Sequence, residues 1–212
     1  MILVIGSEKG GVGKSTLAVN LTIQSMLDGI DTLLVDADIQ GSCNDFSVKR
    51  DELEIEPRIQ LIMKRGKNLH RELSDLRKRY QRIVVDTGGR DSVELRSSLL
   101  IADAVLVPCR PSQFDLWASE RIFSIVDTAL DLNENLKPYI VISQAHTNQF
   151  VTSARDASSF LSDYPNIHLC STIIYERQIW QKSILEGRSV VEYKSSKARD
   201  ELKFLYGEIL NG

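Results

Sequence analysis

The segment ILVIGSEKGGVGKST, residues 2–16, decides the fold predicted for this chain. It starts with the apolar run Ile2 to Ile5 and continues through a turn that carries four glycines before Lys14. A buried strand, a glycine-rich turn and a helix that opens at a Lys-Ser pair form a P-loop, in which backbone N–H groups and the helix N-terminus face a phosphate. The segment therefore predicts a phosphate-binding site at the end of the first strand.

The residue types in this loop predict how a nucleotide would be held. Lys14 would reach the β and γ phosphates, the Ser15 hydroxyl would bind Mg²⁺, and Thr16 would contact the α phosphate. A strand-to-helix connection without a ligand is the alternative, which the GKST sequence at the helix start disfavours. The predicted nucleotide-binding residues of the loop are Gly10, Gly11, Val12, Gly13, Lys14, Ser15 and Thr16.

Short apolar runs like the first one recur along the chain and alternate with helical patterns. The predicted strands span residues 2–5, 32–35, 83–85, 104–107 and 139–142, with a weaker one at 169–174, and the predicted helices span 15–28, 115–130 and 197–210. This alternation is typical of an α/β fold with a doubly wound, mostly parallel sheet flanked by helices. Without an internal repeat or a long linker, residues 1–212 are expected to form a single domain.

Three carboxylates follow predicted strands at the same edge of the sheet. Asp36 and Asp38 come at the end of the second strand and, being two residues apart, point the same way. Asp86 closes the apolar run 83–85 in the Walker B pattern, which holds a Mg²⁺-bound water. Because ligands of open α/β sheets bind beyond the carboxyl ends of the strands, we expect all three beside the loop. Exposed carboxylates that merely open turns are the alternative.

A second lysine, Lys9, stands at the front of the glycine turn, where an ordinary P-loop has none. The string KGGVGKST, residues 9–16, resembles the deviant Walker A motif KGGxGK[ST]T of the ParA/MinD superfamily of dimerising ATPases. The resemblance implies that two copies enclose ATP and Mg²⁺ in a sandwich, with Lys9 of one copy contacting the phosphates held by the other. It makes Lys9, Lys14 and Asp38 the candidate catalytic residues. An exposed loop lysine is the alternative.

The carboxylate segments resemble further motifs of the same superfamily. Residues 36–42, DADIQGS, resemble its A′ motif, usually DxDPQ, which implies that Asp38 orients the attacking water while Asp36 supports the Mg²⁺ hydration shell. Asp86 would complete the metal site with Ser15 and Asp36. Ile39 stands where the family usually has proline, so we expect a looser loop. Gly88 and Gly89 resemble a loop that senses the γ phosphate.

The second half of the chain narrows the resemblance to one branch. Residues 177–187, RQIWQKSILEG, resemble the segment RQxxxKSILxG of short ParA-type, ParF-like partition ATPases, and the turn 108–112, PCRPS, resembles a PxxPS turn that places Pro111 beside the adenine. The likeness implies weak ATP hydrolysis to ADP and phosphate, stimulated by a small centromere-binding partner of the ParB or ParG kind. It also implies non-specific DNA binding by the dimer and a cytoplasmic, nucleoid-associated protein. Because Met1 lies five residues before Gly6, no N-terminal helix-turn-helix domain is expected.

The overall charge of −3 argues against a surface coated with positive charge, but the charges are unevenly spread. Residues 64–82 carry a net charge of +6 and residues 177–203 a net charge of +3. These stretches predict DNA affinity that depends on dimerisation, with Lys182 and Arg188 as contacts by family position. Exposed basic helix faces with no ligand are the alternative.

Competing functions remain open at this point. A MinD-like membrane-cycling ATPase would need a basic, amphipathic C-terminal helix, whereas the predicted helix 197–210 ends in Glu208-Ile209-Leu210. The apolar runs are far shorter than the roughly 20 residues that span a bilayer, so no membrane segment is expected. An iron–sulfur ATPase would need paired cysteines, but Cys43, Cys109 and Cys170 lie more than 60 residues apart, which fits a reducing cytosol. A small-molecule ligase or kinase lacks a visible substrate motif.

Overall fold

Seven parallel strands form one sheet in the computed structural model, which describes residues 1–89, 91–148, 153–162 and 164–210. The strands are β1 (Ile2–Ser7), β2 (Thr32–Asp36), β3 (Gln60–Met63), β4 (Arg82–Gly89), β5 (Ala104–Cys109), β6 (Lys137–Ala145) and β7 (His168–Tyr175). Their order across the sheet is β3-β2-β4-β1-β5-β6-β7. Since β1 lies in the interior with strands on both sides, the loop that follows it opens at the middle of the sheet edge.

Helices cover both faces of this sheet. They are α1 (Lys14–Leu27), α2 (Ser42–Glu52), α3 (Leu69–Leu76), α4 (Val93–Leu99), α5 (Gln113–Leu130), α6 (Ser153–Leu161), α7 (Gln178–Leu185) and α8 (Lys197–Leu210), with a short 3₁₀ helix at Val190–Glu192. Alternate strand residues point to opposite faces, so Ile2 and Val4 pack towards α3 to α6, while Leu3 and Ile5 pack towards α1, α2, α7 and α8. Two apolar cores result, one on each face.

The predicted doubly wound α/β architecture is confirmed. Each of the six predicted strands is present and extends one to four residues beyond its predicted carboxyl end. The edge strand β3 and the short helices α2, α3, α4, α6 and α7 were not predicted. Gln60 and Met63 at the two ends of β3 are exposed, so this strand lacks the buried apolar run that identifies the interior strands.

The register of the strands brings the predicted site residues together. Asp36 pairs with Asp86 across β2 and β4, and Asp86 pairs with Ile5 across β4 and β1. The carboxyl ends of β1, β2 and β4 therefore meet at one edge, where the glycine turn begins. Within the described part of the chain, no helix combines the length and the apolarity needed to cross a membrane.

Candidate functional site

The turn between β1 and α1 adopts backbone conformations that favour glycine. Gly11 has φ +76° and Gly13 has φ +94°, both in the left-handed region, and Gly13 is the N-cap of α1. At Gly89 a Cβ atom would lie 3.2 Å from the Gly10 nitrogen, so the end of β4 approaches the turn at backbone contact. The turn is thus shaped by its own glycines and contacted by Gly89 at the end of β4.

A cavity of about 840 Å³ opens over this turn, within the range of ligand sites. Its walls include Lys14, Ser15, Thr16, Asp38, Arg65 and Gly88. Lys14 is 6% exposed, and its burial lowers the pKa of the ammonium group, while Asp86 and Asp38 act to raise it. The Lys14 Nζ lies 3.5 Å from the Lys9 carbonyl oxygen, and this single long contact leaves donors for an anion.

Asp86 is fully buried at the floor of the site. Burial raises its pKa to about 6, and the Ser15 hydroxyl, the Cys43 thiol and Lys14 act in the opposite direction. Its Oδ2 accepts a hydrogen bond from Cys43 Sγ at 3.2 Å, whereas Oδ1 has no hydrogen-bond partner among the described residues. A buried carboxylate oxygen without a partner is costly, and a metal-bound water would supply the missing donor. The residues present therefore fit a hydrated Mg²⁺ beside Ser15.

Asp36, also fully buried, has both oxygens engaged by backbone groups. Oδ1 accepts from the Asp38 nitrogen at 3.1 Å, and Oδ2 accepts from the Asn44 nitrogen at 2.9 Å. Burial raises the pKa of this carboxyl group despite these bonds. Asp36 thus positions the loop that carries Asp38 and the start of α2, and its backbone pairs with that of Asp86 on the neighbouring strand.

The Asp38 carboxylate lies beside the glycines that end β4. A Cβ at Gly88 would lie 3.5 Å from Asp38 Oδ1. The chain then makes a turn closed by the Gly41 nitrogen, which donates to the Asp38 carbonyl at 3.3 Å. Arg65 Nη2 donates to the carbonyls of Asp38 at 3.0 Å and Ile39 at 3.4 Å. A loop expected to be looser because of Ile39 is therefore held by an arginine that sequence reasoning counted only as surface charge.

Lys9 extends from the front of the turn to α5. Its Nζ forms an ion pair with Asp115 Oδ1 at 2.9 Å and donates a hydrogen bond to the Phe114 carbonyl at 3.0 Å. Both partners lie on α5. The Lys9 side chain is 41% exposed, and the Asp115 side chain 14%. In a single copy of the chain, Lys9 is thus bound to its own α5 and does not line the phosphate cavity.

A second cavity of about 560 Å³ adjoins the first and lies between the glycine turn, the end of β6, and β7 with the segment that follows it. Trp180, Tyr175, Ile184 and Gln144 line it, together with Val12 of the turn. Gln144, which has φ +53°, donates to the Gly11 carbonyl at 3.0 Å. An adjoining apolar pocket of this kind suits the base of a nucleotide.

Arg110, and not the predicted Pro111, lines the cavity that suits the base. Arg110 Nη2 donates to the Gly11 carbonyl at 2.6 Å and lines the second cavity, so it ties the end of β5 to the turn. Pro111, predicted beside the adenine, is half-buried and does not line either of the two cavities in the described part of the chain. Arg110, Gln144 and Trp180 were not singled out from the sequence, because polar or aromatic residues outside a glycine-rich motif carry no local signal.

The predicted basic stretch 64–82 is not exposed throughout. Arg82 is buried, where it donates to Ser25 at 2.8 Å and to the Tyr206 hydroxyl at 2.6 Å. Counting Arg82 as surface charge was therefore wrong, because its position at the start of an interior strand places it under α8. Other members form ion pairs, namely Lys64 with Glu72, Arg77 with Asp103 and Lys78 with Asp75.

In the second stretch, both predicted DNA contacts are exposed. Lys182 lies on α7, 3.8 Å from Glu186, and its side chain is 61% exposed. Arg188 follows α7, and its backbone nitrogen donates to the Ser183 carbonyl at 2.8 Å. Both side chains are thus accessible to a polyanion, although Lys182 would have to leave a weak ion pair.

Known proteins share this architecture. The family model of the CobQ/CobB/MinD/ParA nucleotide-binding domain matches residues 3–190. The maintenance of carboxysome distribution protein A of Halothiobacillus neapolitanus is 25% identical over 211 residues, which cover 98% of this chain and 95% of that protein.

Solved structures agree at the level of the fold. An ATP complex of McdA from Cyanothece has a TM-score of 0.81 at 16% identity, and the match covers 98% of this chain and 95% of that one. A putative plasmid partition protein of Borrelia burgdorferi bound to AMPPNP has a TM-score of 0.73 at 21% identity, with 98% and 99% covered. The resemblance inferred from the motifs is confirmed: the chain belongs to the CobQ/CobB/MinD/ParA family of nucleotide-binding domains.

Proposed function

We propose that this chain is an ATPase that positions a cargo by cycling on DNA. Two copies join around Mg·ATP, the dimer binds DNA without sequence preference, and hydrolysis to ADP and phosphate, stimulated by a partner protein, releases it. The observation that carries the proposal is the cavity lined by Lys14, Ser15 and Asp38 at the carboxyl ends of β1, β2 and β4, together with the unpartnered oxygen of the buried Asp86 on β4.

The residues of the cavity have separate roles in the proposed reaction. Backbone N–H groups of the turn and the Lys14 ammonium hold the β and γ phosphates, and Ser15 and Asp86 hold the hydrated metal ion. Bound Mg²⁺ would neutralise the charge that develops on these phosphates. Asp38, beside Gly88, orients the water that attacks the γ phosphate. Asp36 keeps Asp38 in place through its hydrogen bond to the Asp38 nitrogen.

Lys9 is proposed to act across the dimer, on the phosphates held by the second copy. Its half-exposed position at the front of the turn supports this role, because it need only exchange Asp115 for a more highly charged triphosphate. Pro111 is proposed to approach the base in the paired state. Residues 1–212 are proposed to act as one domain.

DNA binding is proposed to depend on the exposed basic residues of both copies. Lys182 and Arg188 supply part of the charge, and pooling two sets of such residues in a dimer raises affinity steeply because each phosphate contact releases a counterion. The cargo is proposed to be a DNA molecule marked by a small ParB- or ParG-like protein, which gives a nucleoid-associated, cytoplasmic cycle. The relatives named for carboxysome distribution and plasmid partition support this class of function.

A membrane-cycling ATPase is the second candidate function. The apolar face of α8 argues against it, because Leu202, Leu205 and Ile209 are at most 2% exposed and pack on the sheet. Because this apolar face is already buried, α8 offers a bilayer little more than the exposed Phe204, which is too little for an interfacial helix.

The test is DNA retention measured with Mg·ATP, Mg·ADP and no nucleotide over a salt series. We expect retention with Mg·ATP alone, falling steeply with salt. Lys14→Gln should abolish it, Asp38→Ala should bind ATP and accumulate dimers without turnover, and Lys49→Gln, an exposed residue of α2, serves as the control. Retention that Lys14→Gln leaves unchanged, or pelleting with anionic vesicles in Mg·ATP, would overturn the proposal.

A further inference from the structure

The first turn of α5 exposes an aromatic pair. Phe114 is 74% exposed and Trp117 is 53% exposed, and their rings meet edge to face with centroids 5.8 Å apart. Aromatic side chains bury roughly 150–250 Å² each when they are covered. Isolated exposed apolar residues need no explanation, but a paired aromatic patch beside a ligand site indicates a contact surface.

The same turn is tied to the front of the glycine loop. Lys9 Nζ lies 3.0 Å from the Phe114 carbonyl and 2.9 Å from Asp115 Oδ1. About two turns further along the helix, Arg121 lies 3.5 Å from Glu8 Oε1. The aromatic pair and Lys9 therefore belong to one continuous surface, with Asp115 between them.

From this continuity we infer that the first turn of α5 is the apolar contact of the dimer, and that Asp115 holds Lys9 in the unpaired chain. The inference rests on the proposed function, in which Lys9 reaches the phosphates of a second copy. For that to occur, the second copy must approach Lys9 to within the length of one side chain. Phe114 is next to Lys9, since its carbonyl accepts a hydrogen bond from Lys9 Nζ, so the second copy must also approach Phe114. In a twofold dimer each copy presents the same surface, so both aromatic pairs enter the interface.

A second copy fits this surface better than a membrane does. The charges around the pair balance, because Asp115 and Glu120 are accompanied by Lys9 and the exposed Arg121, so this surface lacks the basic excess that an anionic bilayer attracts. Aromatic residues are enriched at the centres of protein interfaces, where they are covered by the partner. Trp117 and Phe114 are therefore assigned to a protein contact.

The ion pair between Asp115 and Lys9 opposes dimerisation. In the unpaired chain the Asp115 carboxylate satisfies Lys9, so dimerisation must break this ion pair before Lys9 can cross. Asp115→Asn removes the competing charge and should raise the association constant of the dimer by about threefold, the effect of losing one partly exposed ion pair.

The experiment measures dimerisation by sedimentation velocity with Mg²⁺ and a non-hydrolysable ATP analogue. Trp117→Ser and Phe114→Ser should each lower the association constant by about tenfold or more, as for residues at the centre of an interface. Phe204→Ser is the matched control, since Phe204 on α8 is 70% exposed and should have no effect. Nucleotide affinity, measured at protein concentrations where the chain is unpaired, should stay the same in all three variants.

A second readout uses the unsubstituted chain. Its two tryptophans are the exposed Trp117 and the buried Trp180. The Trp117→Phe variant fluoresces from Trp180 alone, so subtracting its fluorescence from that of the unsubstituted chain gives the fluorescence of Trp117. Acrylamide quenching of Trp117 should fall when the ATP analogue is added with Mg²⁺. A wild-type chain that stays unpaired would refute the proposed function itself. A dimer that forms with Trp117 fully quenchable and with the serine variants unaffected would refute this inference alone, as would binding of Trp117 to anionic vesicles.

Discussion

Replacing Asp86 by asparagine should make the ligand-free protein more stable at pH 8. Asp86 is fully buried, and burial raises its pKa from 3.8 to about 6. At pH 8 the carboxylate is ionised in a site that gives Oδ1 no hydrogen-bond partner among the described residues. Asparagine has almost the same shape and carries no charge, and its amide oxygen can still accept from the Cys43 thiol.

The magnitude follows from the pKa shift. A rise of about 2 units corresponds to about 3 kcal/mol that opposes folding when Asp86 is ionised. Between pH 4 and pH 6, the folded wild-type chain binds a proton at Asp86 that the unfolded chain has lost, so its stability falls as the pH rises through this window. Above about pH 7 the wild-type chain has lost the full amount of folding stability, about 3 kcal/mol. Asp86→Asn should remove this part of the pH dependence, while Asp36, whose pKa is also raised by burial, still contributes.

Urea denaturation in EDTA at pH 5 and pH 8 provides the measurement. We expect Asp86→Asn to exceed the wild-type free energy of unfolding at pH 8 by about 2–3 kcal/mol and by much less at pH 5. Asp51→Asn, at an exposed site on α2, should change stability by about 0.5 kcal/mol or less at either pH. An Asp86→Asn protein that is less stable than wild type at pH 8 would refute the reasoning. Adding Mg·ATP at about 100 times Kd should stabilise wild type by about 2.7 kcal/mol and the variant by less.

Two other contacts carry measurable consequences. Arg65→Ala removes the donor to the Asp38 and Ile39 carbonyls, so partner-stimulated hydrolysis should fall about tenfold with ATP affinity unchanged. Adding Ile39→Pro should restore most of the rate, because proline favours the second position of a turn, and a double variant as slow as Arg65→Ala would contradict this. Glu192→Gln breaks a two-hydrogen-bond ion pair with the fully buried Arg50 and should cost about 3 kcal/mol in urea unfolding, whereas a loss below 1 kcal/mol would show that the backbone acceptors of Arg50 suffice.

The sequence predicts those parts of the fold in which local pattern and burial agree. Apolar runs such as residues 2–5 and 104–107 are interior strands, and interior strands of a parallel sheet are apolar on both faces. The phosphate loop was predictable for another reason, since the backbone path requires glycines at positive φ and phosphate binding requires the lysine at the helix start. Asp36 and Asp86 follow from the same logic, because parallel strands end at one edge.

Contacts between segments distant in sequence could not be predicted in this way. Arg65 follows an edge strand without an apolar run, and its bond to the Asp38 carbonyl joins residues 27 positions apart. Arg82 was wrongly predicted to be exposed because it belongs to a basic stretch of sequence. It is buried under Tyr206, a residue 124 positions away. Lys9 was recognised by its motif, yet its partner Asp115 is fixed by the packing of α5 beside the turn.

The nucleotide site is physically connected to the candidate DNA contact at Arg188. Asn20, on the helix that follows the phosphate loop, accepts hydrogen bonds from Ser189 Oγ at 2.6 Å and from the backbone nitrogen of the next residue at 2.9 Å. Arg50, on the helix whose start binds the Asp36 carboxylate, donates to the Gly187 carbonyl at 2.9 Å. Arg188 therefore lies between two buried anchors, each on a helix that begins in the site. Because buried polar bonds of this kind are costly to break, a shift of either helix on nucleotide binding would have to move the backbone of Arg188 with it.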